Sequence, residues 1–194
     1  MNNVNWSLVT VTAPTIEPIT LTETKLHIRV DHDTEDSLIE TLISAARNIL
    51  EQNTSRGLAP ATYKLTMDRF PSLIELPRSP ATSVTHIKYY DQDGVQQTWS
   101  SSEYRVDLNT VPARITPEYD YVYPTPREVI AAIEIQYAAG YTASNIPAAL
   151  KQAMLILVGH LYENRQIVNS GMGNFIMPKT VDYLISPYRV TWYK

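Results

Sequence analysis

Residues 36–50 read Asp-Ser-Leu-Ile-Glu-Thr-Leu-Ile-Ser-Ala-Ala-Arg-Asn-Ile-Leu, and their apolar members recur at intervals of three or four. That interval matches the turn of an α-helix and gathers the apolar side chains on one face. Asp33 precedes the run as a good N-cap, and Glu35 and Asp36 add acid to the first turn, where the helix dipole favours it. The pattern predicts an amphipathic helix over about 34–52. Its apolar face consists of Leu38, Ile39, Leu42, Ile43, Ala46, Ile49 and Leu50.

Three further helices are predicted, one before this run and two after it. Thr20 and Glu23 have the spacing of a capping box, and Pro147 suits the first position of a helix. The stretch from Ala153 to Gly159 is apolar on every side, so we expect its helix to be buried on more than one face. The predicted helices run from Thr20 to about Arg29, over 148–168 and over about 179–185.

Between about residues 61 and 140 the apolar period changes from that of a helix to that of a strand. Apolar and polar residues alternate over 61–67, and Asp93-Gly94 is a strong hairpin signal. The tyrosines of the proline-rich loop 117–127 could stack on nucleic-acid bases or pack in a subunit contact. The shortage of nearby basic residues favours the contact.

These patterns predict a mainly α fold. A helical frame of two N-terminal helices, a long C-terminal helix and a short last helix is interrupted by an inserted β-rich module. We expect an irregular N-terminal segment over 1–18 and a single domain over 19–168, with the β-rich insertion at about 61–140. A flexible link, a short helix and a tail follow over 169–194.

The composition excludes several classes of function. The chain has 194 residues and no cysteine, which rules out disulfides, thiolate catalysis and cysteine metal sites. It has 16 basic and 20 acidic residues, a net charge of −4, and no basic segment of the kind that a reader of duplex DNA requires. No apolar run approaches the roughly 18 residues of a membrane span, so we expect no membrane partner. HExxH, phosphate-loop and GxSxG motifs do not occur.

Two groups of residues contain the types of side chain that bind metals. Asp31, His32 and Asp33 are consecutive, and three consecutive side chains do not converge easily on one ion. His160 and Glu163 lie three residues apart, without the matching pair that a ferritin-like site needs on a second helix. Helix capping and a hydrogen-bonded histidine explain these residues better. We therefore predict no metal, no cofactor and no catalytic residue.

The end of the chain has the character of a docking element. The segment 169–174 holds two of the six glycines, so the residues after it can move relative to the long helix. Beyond Pro187, the residues 188–193 alternate like a strand, and an exposed strand can add to a partner's sheet. The predicted docking residues are Tyr188, Val190, Trp192 and Tyr193, of types that often anchor interfaces. The alternative is that this tail folds back onto its own β-rich module.

Ten short motifs in a fixed order carry a family resemblance. They are Pro18–Asp31, Ala45–Arg47, Tyr63–Asp68, Ile74–Pro80, Val84–Tyr89, Tyr104–Asp107, Tyr137–Tyr141, Ile146–Ala153, His160–Arg165 and Leu184–Arg189. Their order and spacing resemble those of the small head–tail connector, or neck adaptor, proteins of long-tailed bacteriophages and gene transfer agents. The resemblance covers about 18–190.

This resemblance implies a structural virion protein of the neck, made in the cytoplasm of the host bacterium. Members of the family are helical with a β-rich insertion. They form a ring, twelve-fold to match the portal, that docks under the portal, lines the DNA channel and provides the tail attachment site. The implied partners are the portal protein, a tail terminator or other neck or tail protein, further copies of the chain, and genomic DNA that passes without sequence-specific binding. The family has no catalytic residue to carry over.

Two other functions remain open at the level of sequence. Within the same biology, the chain could be a tail-completion or tail-terminator protein. From another class, it could be a carbohydrate-active or nucleic-acid enzyme whose site converges only in three dimensions.

Overall fold

The computed structural model describes residues 4–165 and 177–190 of the chain. These residues form two units. A helical unit is built from residues 15–59, 141–165 and 177–190, and a β unit is built from residues 4–14 and 60–140. Both units are therefore assembled from segments that are far apart in the sequence.

The described helical unit contains four α-helices and a turn of 3-10 helix. They are α1 (Leu21–Ile28), α2 (Asp36–Thr54), α3 (Ala148–Glu163), α4 (Lys179–Ile185) and the turn Ser186–Tyr188. The apolar stripe of α2 lies in the core, where Ile39, Ile43 and Leu50 are buried. More than one face of α3 is buried, as its all-round apolar stretch predicts. The buried residues of α3 are Leu150, Ala153, Met154, Leu155, Leu157 and Val158.

Local chemistry sets the starts of α1 and α2. Thr20 caps α1, because its hydroxyl accepts a hydrogen bond from the N–H of Glu23 at 3.1 Å. The prediction that Asp33 caps α2 is wrong. The residue directly before the helix is Glu35, and its side chain makes no capping hydrogen bond. The Lys25 ammonium of α1 donates instead to Asp33 at 2.5 Å and to Asp36 at 2.8 Å. Because the Asp33 carboxylate pairs with Lys25, it does not cap α2.

Two antiparallel sheets make up the β unit. Its strands are β1 (Trp6–Thr12), β2 (Ala61–Met67), β3 (Ile74–Leu76), β4 (Ala81–Tyr90), β5 (Gln96–Thr98), β6 (Tyr104–Asp107), β7 (Ala113–Pro117) and β8 (Ile133–Ala139). The larger sheet has the order β1-β2-β8-β4-β5, and the smaller has the order β3-β7-β6. All the pairings are antiparallel, so hairpins and longer loops connect the strands.

The core of the β unit follows from the alternation in β2 and β8. These strands pair in register along their full lengths, and every second residue of each is buried. Tyr63 faces Tyr137 across the pair, with ring centroids 5.9 Å apart. The hydroxyl of the fully buried Tyr137 donates to the carbonyl of Pro77 at 2.7 Å, and burial raises the pKa of this hydroxyl.

The expectation of a mainly α fold is wrong. The described residues are 30% helix and 27% strand, arranged as helices and two antiparallel sheets, so the fold is mixed α/β. The insertion contributes seven strands, and part of the N-terminal segment 1–18, expected to be irregular, adds an eighth. That strand, β1, is rich in β-branched residues and pairs with β2, whose residues lie about fifty to sixty positions further along the chain.

Arg47 links three parts of the helical unit through hydrogen bonds that are buried or partly buried. Its Nε donates to Glu17 at 2.8 Å and its Nη1 donates to Glu51 at 3.3 Å. The other carboxylate oxygen of Glu51 accepts the N–H of Leu58 at 2.8 Å. Arg47 is 8% exposed and Glu51 is 6% exposed, so these charged groups satisfy one another out of water. The segments before and after α2 are thereby held to the helix.

Replacing Glu51 with alanine should destabilise the helical unit strongly. We expect Glu51→Ala to lower the free energy of unfolding by about 3–5 kcal/mol, because it leaves a buried cation without one of its partners. Urea unfolding followed by far-UV circular dichroism measures the change. The matched control is Glu40→Ala on the exposed side of the same helix, which should change the stability by less than about 0.5 kcal/mol. Equal effects of the two substitutions would contradict this account.

A second set of contacts joins the start of α2 to the end of α3. The Arg165 guanidinium donates to one oxygen of Glu35 at 2.6 Å, and the Tyr162 hydroxyl donates to the other. The same guanidinium lies over the Tyr162 ring, 4.3 Å from its centre. The hydrogen bonds from Arg165 and then from Tyr162 lower the pKa of Glu35 from 4.5 to about 2.

This shift predicts a defined dependence of stability on pH. Because the folded-state pKa of Glu35 is below the unfolded-state value, its contribution is fully present above pH 4.5 and is lost as the pH falls towards about 2. Glu35→Gln should therefore lower the thermal midpoint at neutral pH and flatten its decline over that acidic range. Scanning calorimetry as a function of pH measures both effects, with Glu40→Gln as the control. A wild-type pH profile for Glu35→Gln would show that the contact contributes nothing.

Candidate assembly surfaces

Strand β1 is an open edge of the larger sheet. It pairs with β2 on one side, and no strand within residues 4–165 and 177–190 pairs with it on the other. Trp6 is 57% exposed, and Val9 and Val11 are each 50% exposed. An apolar edge strand with unpaired backbone groups is a template for pairing with another chain. This edge is the first candidate docking surface.

The 118–131 loop is the second candidate, because it presents large apolar side chains to solvent. Tyr119 is 84% exposed, Val122 is 82% exposed and Ile130 is 89% exposed. Aromatic and aliphatic residues of this size commonly act as anchors when an interface forms. The tyrosines of the loop differ in their surroundings: Tyr119 and Tyr121 are exposed, whereas Tyr123 packs against the core of the β unit.

Contacts within the β unit fix the position of the 118–131 loop. The ring of Tyr123 stacks on Phe70 with centroids 5.0 Å apart and also contacts Trp99. Burial raises the pKa of the Tyr123 hydroxyl. At the far end of the loop, the N–H of Ala131 donates to Asp68 at 2.8 Å. The exposed side chains are therefore carried by a loop that is held at its middle and at its far end, which lowers the entropy cost of binding.

The carboxylate of Glu118, at the start of this loop, is held in its charged form by its hydrogen bonds. The N–H of Tyr119 and the guanidinium of Arg105 both donate to the Glu118 carboxylate at 3.1 Å. These contacts, the backbone N–H first, lower the pKa of Glu118. Glu118 therefore carries its negative charge at neutral pH, close to the exposed Tyr119.

An open cleft of about 590 Å³ lies beside this surface, between the start of β1 and the end of the loop. It has a mixed lining of polar, charged and apolar residues. They are Asn5, Asp68, Arg69, Thr125, Pro126, Arg127, Glu128, Val129 and Ile130. The Asp68 carboxylate is already engaged by Asn5 and by the N–H of Ala131. This carboxylate of the cleft is therefore already hydrogen-bonded within the β unit.

The residues of the two sequence motifs that contain metal-binding types of side chain make other contacts in the structure. His32 hydrogen-bonds Thr34 at 2.8 Å, and Asp33 pairs with Lys25. His160 is close to the Asn164 amide at the end of α3. Within the part of the chain that the structure describes, no group of three or more His, Asp or Glu residues is arranged to hold a metal ion.

Of the helices in residues 4–165 and 177–190, none combines the length and the apolar character that crossing a bilayer demands.

The predicted docking residues are divided between described and undescribed parts of the chain. Tyr188 lies in the 3-10 turn, half-buried, and its carbonyl accepts from Arg56 Nε at 2.5 Å. The N–H of Val190 donates to the carbonyl of Thr54 at 2.9 Å. Trp192 and Tyr193 lie outside the described residues. The docking role of these four residues stays a prediction.

The reasoning from sequence missed the edge of β1, and it identified the loop only through its tyrosines, for which it favoured a subunit contact. The edge of β1 carried a usable signal, since Leu8, Val9 and Val11 stand in a run of β-branched and apolar residues without a charge. The exposure of Ile130 and Val122 carried none, because an apolar residue in a loop has the same sequence signature whether it is buried or exposed.

Comparisons with known proteins identify the family of the chain. Its sequence matches the model of the phage gp6-like head-tail connector protein over residues 18–118. None of the curated proteins matches it.

Three solved structures contain chains of similar fold, each 24% identical in sequence. A chain in the neck of an empty gene transfer agent particle, computed with C6 symmetry, superposes with a TM-score of 0.79 over 97% of both chains. A chain of the native gene transfer agent virion gives 0.78 over 96% of this chain and 97% of that chain. A chain in the neck of the native particle, computed with C12 symmetry, gives 0.74 over 97% of both. These similarities show a shared fold.

The match confirms the prediction, made from the sequence, of a head–tail connector with a structural role in the virion. It covers more than half of the 194 residues and includes α1, α2 and strands β2 to β7. The chain therefore belongs to the phage gp6-like head-tail connector protein family.

Proposed function

We propose that this connector forms a ring in the neck of its virion, docks under the portal of the DNA-filled head and provides the attachment site for the tail. One observation carries the proposal: the fold matches, over 97% of both chains, that of a chain in the neck of a gene transfer agent particle. The symmetries with which the necks were computed, C6 and C12, support a cyclic arrangement of copies. We propose twelve copies, to match the portal.

The surfaces of the chain are of a kind that supports assembly. A ring needs two different surfaces on each copy, one meeting the other on the next copy. The open edge of β1 and the 118–131 loop offer exposed apolar groups on fixed backbone. We infer that the protein works by binding its partners and is not an enzyme.

The net charge of the chain agrees with a role in which the genome passes through the ring. A channel with a strongly basic wall would hold DNA through the release of counterions. The net charge here is −4, with acidic and basic residues interspersed. We propose that genomic DNA moves through the ring without sequence-specific binding.

The tail of the chain is proposed as the element that docks on a partner, through Tyr188, Val190, Trp192 and Tyr193. The contacts of Tyr188 with Arg56 and of Val190 with Thr54 support an anchor at the root of this tail. The residues that follow this anchor include the aromatic residues Trp192 and Tyr193. Aromatic side chains are effective anchors because they bury a large area with few rotatable bonds.

A truncation tests the ring and the tail together. Deleting residues 191–194 should change the thermal midpoint by no more than about 2 °C. It should weaken assembly of the ring on isolated portal by about tenfold or more, because it removes two aromatic residues that we propose as anchors on a partner, which is either the portal or a neighbouring copy. Co-sedimentation with portal measures binding, and electron microscopy of the full chain on portal should show an added ring.

The control for this truncation is Tyr183→Ala, which removes an exposed aromatic side chain from α4 and should leave binding unchanged. A large loss of thermal stability in the truncated chain, with portal binding retained, would place the tail in the core. A full chain that never adds to portals would refute the ring.

A further inference from the structure

The edge of β1 lacks the features that protect edge strands in soluble proteins. Its seven residues, Trp6 to Thr12, include no charged residue and no proline. Edge strands in monomeric proteins are commonly short, charged, bulged or interrupted by proline to prevent pairing with other chains. The bulge that β1 has lies at its end, between Thr10 and Thr12, so most of the edge remains regular.

The other open edges of the described sheets differ from β1. Strand β5 at the opposite edge of the same sheet has three residues, all polar. In the smaller sheet, the edge strands β3 and β6 have three and four residues and carry charged side chains. Within the described residues, β1 is thus the long and uncharged edge.

The chemistry of this edge restricts what can occupy it. Its outward N–H and C=O groups are matched only by another extended backbone. Trp6 and Leu8 stand opposite Met67 and Leu65 and lie on the core side of the sheet, whereas Val9 lies on the other side. A strand added here therefore meets apolar side chains on both of its faces, and aromatic or β-branched residues suit it best.

We propose that β1 receives the C-terminal segment of a neighbouring copy of this chain, residues 190–194, as an additional strand. The described chain ends with Arg189 in an extended conformation, at φ −63° and ψ 126°, and with Val190 tied to Thr54. The four residues after it are Thr191, Trp192, Tyr193 and Lys194, which include no glycine, proline or acid. Their composition is that of a strand.

A contact of this kind closes a ring. The donor is the end of one copy and the acceptor is the start of the next, so the contact is heterologous and repeats by rotation. Pairing of β1 with a second β1 would instead be two-fold and would stop at a dimer. The inference rests on the proposed ring and names the segment and the edge that build it.

Cysteine cross-linking tests this contact cleanly, because the natural chain has no cysteine. One protein carries Val9→Cys and a second carries Thr191→Cys. The two are mixed at high concentration, with and without isolated portal, and treated with a short bis-maleimide. We expect a product of twice the 22.0 kDa chain mass that contains one copy of each variant. The matched control replaces Val9→Cys with Val95→Cys, an equally exposed valine next to β5, and should give no mixed product.

Several outcomes would overturn the inference. A Val9→Cys protein that links only to itself indicates pairing between two β1 edges. A double variant that links within one chain, when the mixture gives no mixed product, indicates that the tail covers its own β1. In both cases rings on portal would leave the proposed function intact. A full chain that forms no ring on portal removes the proposed function, and the inference falls with it.

An edge substitution gives an independent readout. Val9→Lys places a charge on the proposed acceptor at a half-exposed position, so the fold should be retained. We expect ring formation on portal to weaken by about tenfold or more, with a thermal midpoint close to that of the natural chain. Undiminished ring formation by a folded Val9→Lys protein would contradict the inference.

Discussion

The fold depends on a constraint on the β insertion: it must begin and end at neighbouring positions. The pairing of β2 with β8 meets this constraint, because Ala61 at the start of the insertion lies opposite Ala139 at its end. Gly140, with a φ of 119° that glycine adopts easily, then donates to the carbonyl of Pro80 at 2.9 Å. The helical unit has a matching contact, from the N–H of Tyr141 to the carbonyl of Gly57. Helices separated by more than ninety residues of sequence can therefore share one core.

The contacts that stabilise the two units and the surfaces proposed for assembly involve different residues. The helical unit is secured by buried apolar stripes and by charges that satisfy one another, such as Arg47 with Glu51. The β unit is secured by the alternation of β2 and β8, which leaves its edge and its loops free to vary. The two candidate docking surfaces lie there, on β1 and on the 118–131 loop, and the helical unit also exposes Leu26 and Tyr183. Exposed apolar surfaces of this kind are typical of sites where a protein binds its partners.

Local patterns in the sequence predicted the elements better than their arrangement. The apolar stripe of α2, the cap at Thr20 and the alternation over 61–67 are local, and each gave a correct element. The strand β1 was missed because its partner lies far along the chain, and without it the sheets were underestimated. The capping of α2 by Asp33 failed because Lys25, on another helix, competes for that carboxylate. Local composition signals the strand β1 itself, but it does not identify a pairing partner so far along the chain. The candidate surfaces shared this limit, since residue type alone does not tell whether Ile130 is exposed.

The account is tested most directly in the particle itself. The gene for this chain is deleted in its phage or gene transfer agent, and the products are examined by electron microscopy with and without a copy supplied in trans. The account predicts that heads and complete tails accumulate separately, and that the supplied copy restores their joining. Joined particles in undiminished number, in the absence of this chain, would contradict its role as the head–tail connector.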